Sequence, residues 1–418
     1  MMEPNISQKK TVLYLIRFSF GTSLLILPFT VVQLGAVNWM FLLLLVNVVM
    51  MYMCYLLKKS FLVMFDEYKE RESILSPYTI LAGYVGRTGV FGKIVGATLS
   101  ITLFLSSVAL VLLTATILNQ SFEIRTLSEH GQIRLWSAVI IILIAPSMIF
   151  KERKTVTLSS LFALVTALAF FICALAILNI IGSSKNYLNE LVKHSKIHKK
   201  NFFVTFGTMM FVIANTVLTF PDISILVKAP DKLAPSIFFT FGFTFIIQAC
   251  CGLIPFAKIG PSVRPTVSEN MLLLLKNDQL KHSFKWIVIL GIVSICLHMI
   301  FETILSLRKM FRSAQDGSAG LNWKRISVQF FVLALHICVT LLVPNFQAIL
   351  SIAGGFFVTL TCVIFPIIIY IRIHDVTRIQ KLVFTIIILT FFIMAFINFF
   401  INLINIVDVI KQIPAQFM

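Results

Sequence analysis

The sequence predicts an all-α, polytopic membrane protein with about eleven transmembrane helices, and three observations carry that reading. Of 418 residues, 58% are hydrophobic and only 12% charged, a balance that a water-soluble domain cannot keep in solution. Stretches of about 20 apolar residues, enough to cross a bilayer core roughly 30 Å thick, recur from Thr11 towards the C-terminus. The polar breaks between them are short, so no soluble stretch is long enough to fold a separate catalytic core around a cofactor. Residues 1-10 read as a polar tail without a cleavable apolar core, so the first apolar run is expected to stay in the mature protein.

Breaks marked by charge, Pro and Gly give spans at about 11-33, 36-58, 94-119, 133-150, 155-181, 202-227, 233-257, 284-308, 326-344, 348-373 and 381-408, with 411-418 as a C-terminal tail. An odd count puts the two termini on opposite sides. Placing the N-terminus in the cytoplasm puts most of the Lys and Arg in inner breaks, as membrane insertion favours. The longest break, Lys59 to Lys93, reads as a solvated linker holding an amphipathic stretch, Ser76 to Val85, suited to the inner membrane surface. A glycosylation sequon, Asn119-Gln120-Ser121, falls on the outer side, close against a span.

The net charge of +18 raises nucleic acid as a partner, but the basic residues lie scattered between apolar runs, without a basic domain. Orientation in the membrane and contact with anionic headgroups account for them. The seven cysteines all sit inside apolar runs and none forms a CxxC with a His partner, so neither a disulfide framework, nor a metal site, nor any cofactor is expected.

Two spans are interrupted. The first carries Gly21-Thr22-Ser23-Leu24-Leu25-Ile26-Leu27-Pro28; the sixth carries Phe206-Gly207-Thr208 and Ala214-Asn215-Thr216 ahead of Pro221-Asp222. Unwound backbone at bilayer depth survives only where it is buried in protein or lines a wet cavity, because a bare amide in hydrocarbon costs several kcal/mol. Breaks at corresponding places five spans apart point to a secondary transporter built as an inverted repeat, its half-helix N-termini drawing an anionic group such as a carboxylate. Taken singly, each break is also what Gly and Pro commonly do in spanning helices.

The residues themselves resemble the amino acid/auxin permease family. Gly21-Thr22-Ser23-Leu24-Leu25-Ile26-Leu27-Pro28-Phe29 is similar to that family's first-helix motif, and Phe206-Gly207-Thr208-Met209-Met210-Phe211 with Thr219-Phe220-Pro221-Asp222-Ile223 to its sixth. Glu269-Asn270-Met271-Leu272, Trp323-Lys324-Arg325, Pro344-Asn345-Phe346, Ala353-Gly354-Gly355 and Phe365-Pro366 resemble later motifs, in order. The resemblance implies an amino acid transporter domain over residues 11-410, of a LeuT-like 5+5 inverted repeat plus one C-terminal helix, moving amino acids by alternating access. Departures bear on mechanism: Ser23 and Ala214-Asn215 stand where the family usually has glycines, Ile254-Pro255-Phe256 replaces a Tyr-containing motif, and Leu307-Arg308 replaces an Asn-Pro.

By that resemblance the substrate's carboxylate and amine would meet freed backbone at Gly21, Thr22, Ser23 and Leu24, faced by Phe211, Ala214 and Asn215. Ionisable groups within spans are Asp222, His298, Glu302 and His336. His298 and Glu302, four apart, share a helix face and form either a proton-binding pair or a structural one. His336 reads as a packing residue and Asp222 as an interfacial carboxylate, while Arg17 would snorkel to the inner surface. Sodium coupling would rest on Thr303 and Ser306 alone, so protons are favoured. Two functions remain open: a transporter, or a sensor that binds an amino acid with little flux and docks a partner through the Lys59 to Lys93 loop. The protein is expected in the plasma membrane or a lysosomal or vacuolar membrane, with a small-molecule substrate, the lipid bilayer around it and no nucleic acid.

Overall fold

The computed structural model describes residues 8–19, 26–67, 77–86, 89–122, 127–145, 199–227, 230–260, 263–264, 279, 286 and 323–417. Every element in them is helical: α1 (Gln8–Ser19), α2 (Leu27–Leu34), α3 (Ala36–Glu67), α4 (Pro77–Val85), α5 (Val90–Ser121), α6 (Glu129–Ile144), α7 (Lys199–Leu226), α8 (Leu233–Ile259), α9 (Trp323–Leu342), α10 (Phe346–Ile352), α11 (Phe365–Ile373) and α12 (Arg378–Phe417). Two π-helical stretches, Ala353–Val358 and Leu360–Ile364, join α10 to α11 into one rod. Among the described residues, six helices are long and apolar enough to span a membrane: α3, α5, α7, α8, the α10 to α11 rod and α12. The span expected at 155-181, and that at 284-308 apart from Trp286, lie outside the described residues.

Local chemistry explains the boundaries. Helix α2 opens at Leu27 with Pro28 in its first turn, where the missing N–H costs no hydrogen bond. It ends at Gly35, whose φ of 75° suits a residue without a Cβ, and α3 begins at once. Ser128 caps α6 by accepting from the Gly131 amide at 3.3 Å, and Asn345 caps α10 by accepting from the Ala348 amide at 3.1 Å.

Three expectations are corrected. The second span does not stop at Lys58: α3 runs on to Glu67, because Phe61, Met64 and Phe65 recur at helical spacing and are buried. The segment 77–85 is a helix, but one seated in the bundle, with Tyr78, Leu81 and Ala82 buried against α5 and the Tyr78 hydroxyl donating to the Thr361 carbonyl. The third lies in the sixth span, whose helix runs on without the expected break.

The second and seventh spans are clamped together. Trp39 of α3 is fully buried, its indole N–H donates to Thr30 Oγ at 2.7 Å, and its ring lies against Gly252 of α8, where a Cβ would overlap the indole. Asn47 Nδ2 donates to Gln248 Oε1 at 3.2 Å across the same pair. Helix α12, by contrast, presents Leu382, Ile386, Leu389, Ile393 and Ile404 outwards, a continuous apolar face suited to lipid.

Candidate functional site

The centre of the bundle is a backbone crossing between α7 and the π-helical stretch after α10. A Cβ on Gly354 would overlap the Gly207 carbonyl, and one on Gly207 would overlap the Ser351 carbonyl, so glycine is required for the two rods to approach this closely. The i→i+5 winding at Ala353–Val358 widens the helix at that point, a feature that recurs at functional sites.

A polar network seals one side of the crossing. Ser351 Oγ donates to the Val204 carbonyl at 3.1 Å and accepts from Asn398 Nδ2 at 2.9 Å and Asn402 Nδ2 at 3.0 Å. Asn398 Nδ2 also donates to the Phe203 carbonyl at 2.6 Å, and Asn402 Nδ2 to the Asn398 carbonyl at 2.8 Å. Gly355 leaves room for the Asn398 amide, with which a Cβ there would overlap. Three buried side chains thus tie α7, α10 and α12 together in an apolar setting where unmade bonds are costly.

The structure brings part of the expected site to this crossing. Phe211 of α7, 3% exposed, packs against Gly354 and shares a buried cluster with Ile26, Val108, Leu112 and Ala353. Ala214 is fully buried and Asn215 half-buried, one turn further along α7. Gly21, Thr22, Ser23 and Leu24 lie outside the described residues, as do His298 and Glu302. The flank of the break expected in the first span is described: Ile26 heads α2 and reaches the Phe211 cluster, and both α1 and α2 pack on α7.

The expected break in the sixth span is not there: α7 is helical without interruption from Lys199 to Leu226, with Pro221 inside it. Hydroxyls of this helix bond back onto its own carbonyls, Thr208 Oγ donating to Val204 at 3.0 Å, Thr219 Oγ to Asn215 at 2.8 Å and Ser224 Oγ to Pro221 at 2.7 Å. Asp222 is exposed, in keeping with an interfacial place. His336 is fully buried and partnered: Nδ1 lies 2.7 Å from the Val332 carbonyl, so it carries a proton, and Nε2 lies 2.6 Å from Ser107 Oγ. Its ring stands edge-on to Phe104, as a packing residue would.

Sequence reasoning passed over Ser351, Asn398 and Asn402. Their signal was available, since Asn398 and Asn402 stand four apart on an apolar helix, where paired amides face one neighbour. Among the described residues no group of three or more His, Cys, Asp or Glu is placed to hold a metal ion. Beyond the network, towards one end of the bundle, a cavity of about 320 Å³ is lined largely by amide side chains.

No curated protein matches the chain. One family model does, described as transmembrane amino acid transporter protein, and it matches residues 4–407.

Proposed function

We propose, for a chain that belongs to the family of transmembrane amino acid transporters, that it moves amino acids by alternating access, as a facilitative or secondary-active carrier coupled to protons in preference to sodium. The observation that carries this reading is Phe211: an aromatic wall on the sixth span, packed on Gly354 and meeting the flank of the first-span break at Ile26. A substrate held by freed backbone at Gly21, Thr22, Ser23 and Leu24 would lie against that wall, with Ala214 and Asn215 beside it.

A 5+5 inverted arrangement of about eleven spans is supported by which helices touch. The two helices of the first span pack on the sixth, the second packs on the seventh and the fourth on the ninth, each pair five apart. Two halves related by an axis through the bundle bring such partners together. The bias of Lys and Arg towards the breaks on the side of the N-terminus supports a cytoplasmic place for it, with the protein a multi-pass resident of the plasma membrane or of a lysosomal or vacuolar membrane. His298 with Glu302 is the proposed proton pair.

The unbroken α7 favours a second reading, because an intact sixth helix offers a ligand fewer free carbonyls. In that reading the protein is a sensor that holds an amino acid with little flux. Uptake of a labelled amino acid panel into liposomes carrying the purified protein, with pH and sodium gradients varied independently, separates the two. Saturable uptake that follows an inward proton gradient supports the transporter; retention without flux supports the sensor. Thr22→Trp or Ser23→Trp is expected to abolish uptake in protein that still inserts and purifies, and normal uptake by either variant would remove the site from the first-span break.

A further inference from the structure

The cavity stands where α2 ends, α7 and α10 begin and α12 runs out, and its wall includes Gln33, Asn345, Asn402, Asn405 and Asp408. What each amide has left to offer is decided by the bonds it already makes. Gln33 Oε1 accepts from Thr205 Oγ at 2.8 Å, and Asn345 Oδ1 is spent on the Ala348 amide at 3.1 Å, so both have NH₂ groups to give. Asn402 is the reverse. Its NH₂ donates to Ser351 Oγ at 3.0 Å and the Asn398 carbonyl at 2.8 Å, leaving an Oδ1 that is buried and has no hydrogen-bond partner, on a side chain only 1% exposed. Asp408, six residues further along α12 and exposed at the cavity's wall, adds a carboxylate.

Gln33 and Asn345 therefore offer donors from the α2 and α10 side and Asn402 and Asp408 acceptors from the α12 side, while Asn201, Gln347 and Asn405 can turn either group to a ligand. A bare cation would face the two NH₂ groups, and a simple anion would face Asp408; a molecule carrying a carboxylate at one end and an ammonium at the other satisfies both. We infer that this cavity is a second binding site, a reception site for a zwitterionic amino acid, in which Gln33 and Asn345 donate to the carboxylate and Asn402 Oδ1 and Asp408 accept from the ammonium. The inference rests on the reading of the chain as an amino acid carrier and adds a site to it. Val204, at the cavity wall, and Phe211 are separated by seven residues of α7, about 10 Å along the axis, so the two sites are distinct. The Ser351, Asn398 and Asn402 network stands between them, which makes it the partition a substrate must pass.

The test is saturation binding of tritiated neutral L-amino acids to the purified full-length protein in lipid nanodiscs, alongside liposome uptake. Two classes of site are expected. Asp408→Asn, and separately Gln33→Glu, which keeps the oxygen for Thr205 but sets a carboxylate against the ligand's own, should each weaken one class at least tenfold and leave the other unchanged. The matching decarboxylated amines and N-acetyl amino acids should fail to compete for that class. A single class indifferent to both substitutions, two classes both indifferent to them, or no retention of any panel member, overturns the site. If the sensitive class is present while uptake is absent, the reception site stands and the transport reading falls; uptake with no sensitive class leaves transport standing and removes the site.

Discussion

Asn398 shows how much one side chain can hold in an apolar bundle. Its NH₂ joins the Phe203 carbonyl of α7 to Ser351 of α10, and replacing it by Leu would take one bond from each acceptor and press bulk towards Gly355. Asn398→Leu is expected to lower stability by about 1 to 3 kcal/mol, read as an earlier thermal unfolding transition in detergent, whereas Leu389→Ala on the exposed face of the same helix should be near neutral. His374 gives a second residue-scale expectation. It stacks on Tyr370 after α11, and burial, with the nearby Lys59 ammonium adding to it, holds its pKa below the ordinary 6.5. Because the folded state disfavours the charged ring, the stability it contributes is complete above about pH 6.5 and is lost as pH falls through that value towards the lower folded one. Thermal scans from pH 7.5 down to 5 should show an acid loss in the native protein that His374→Asn reduces. The asparagine pair was legible in the sequence as an i, i+4 spacing, but its partners were not, since Ser351 and the carbonyls of Phe203 and Val204 meet it only through the packing of three helices.

Among the described elements, the sequence placed α5, α7, α8, α9 and the α10 to α11 rod within about four residues, and it missed the winding of two stretches. Gly207, Thr208 and Asn215 look like a break in α7, yet the helix continues: Gly207 serves the close approach of Gly354 and Thr208 bonds back onto the Val204 carbonyl within the helix, neither of which composition reveals. The π-helical turns at Ala353–Val358 escaped for the opposite reason: an apolar run buried all round has no face whose period could betray a change from 3.6 residues per turn. Helix α4 was found as a helix and mistaken in its seat, since a tyrosine reads as interfacial until a buried acceptor such as the Thr361 carbonyl is known. The α7 crossing gives a sharp comparison. Gly207→Ala and Gly354→Ala must drive helices apart, and each is expected to cost about 3 kcal/mol or more and to abolish binding and uptake. Gly242→Ala, in α8, meets nothing within 4 Å and should be neutral or slightly stabilising by the same assays.

At the scale of the molecule, the ends of α2 and α12 and the beginnings of α7 and α10 share one cavity, while Gln8 of α1 reaches the Lys232 carbonyl just before α8. The proposed eleven crossings would put those ends on matching sides, because an odd count returns the first and eleventh spans to the side from which the sixth and tenth set out. Short tags on the two termini should therefore be reached from opposite faces: in sealed cells or vesicles an antibody is expected to bind one tag before permeabilisation and the other only after it, and equal access would refute the odd count. How such a bundle could change shape is constrained by the crossing of Gly207 with Gly354. There the rods meet main chain to main chain, with Phe211, Ser351 and Asn398 packed beside the contact. The spacing is fixed there, and the contact divides α7 unequally, about 12 Å of helix before Gly207 and about 28 Å after it, so a pivot at this point would swing the long arm further than the short one and in the opposite direction. A tilt that narrows one mouth of the bundle must then widen the other.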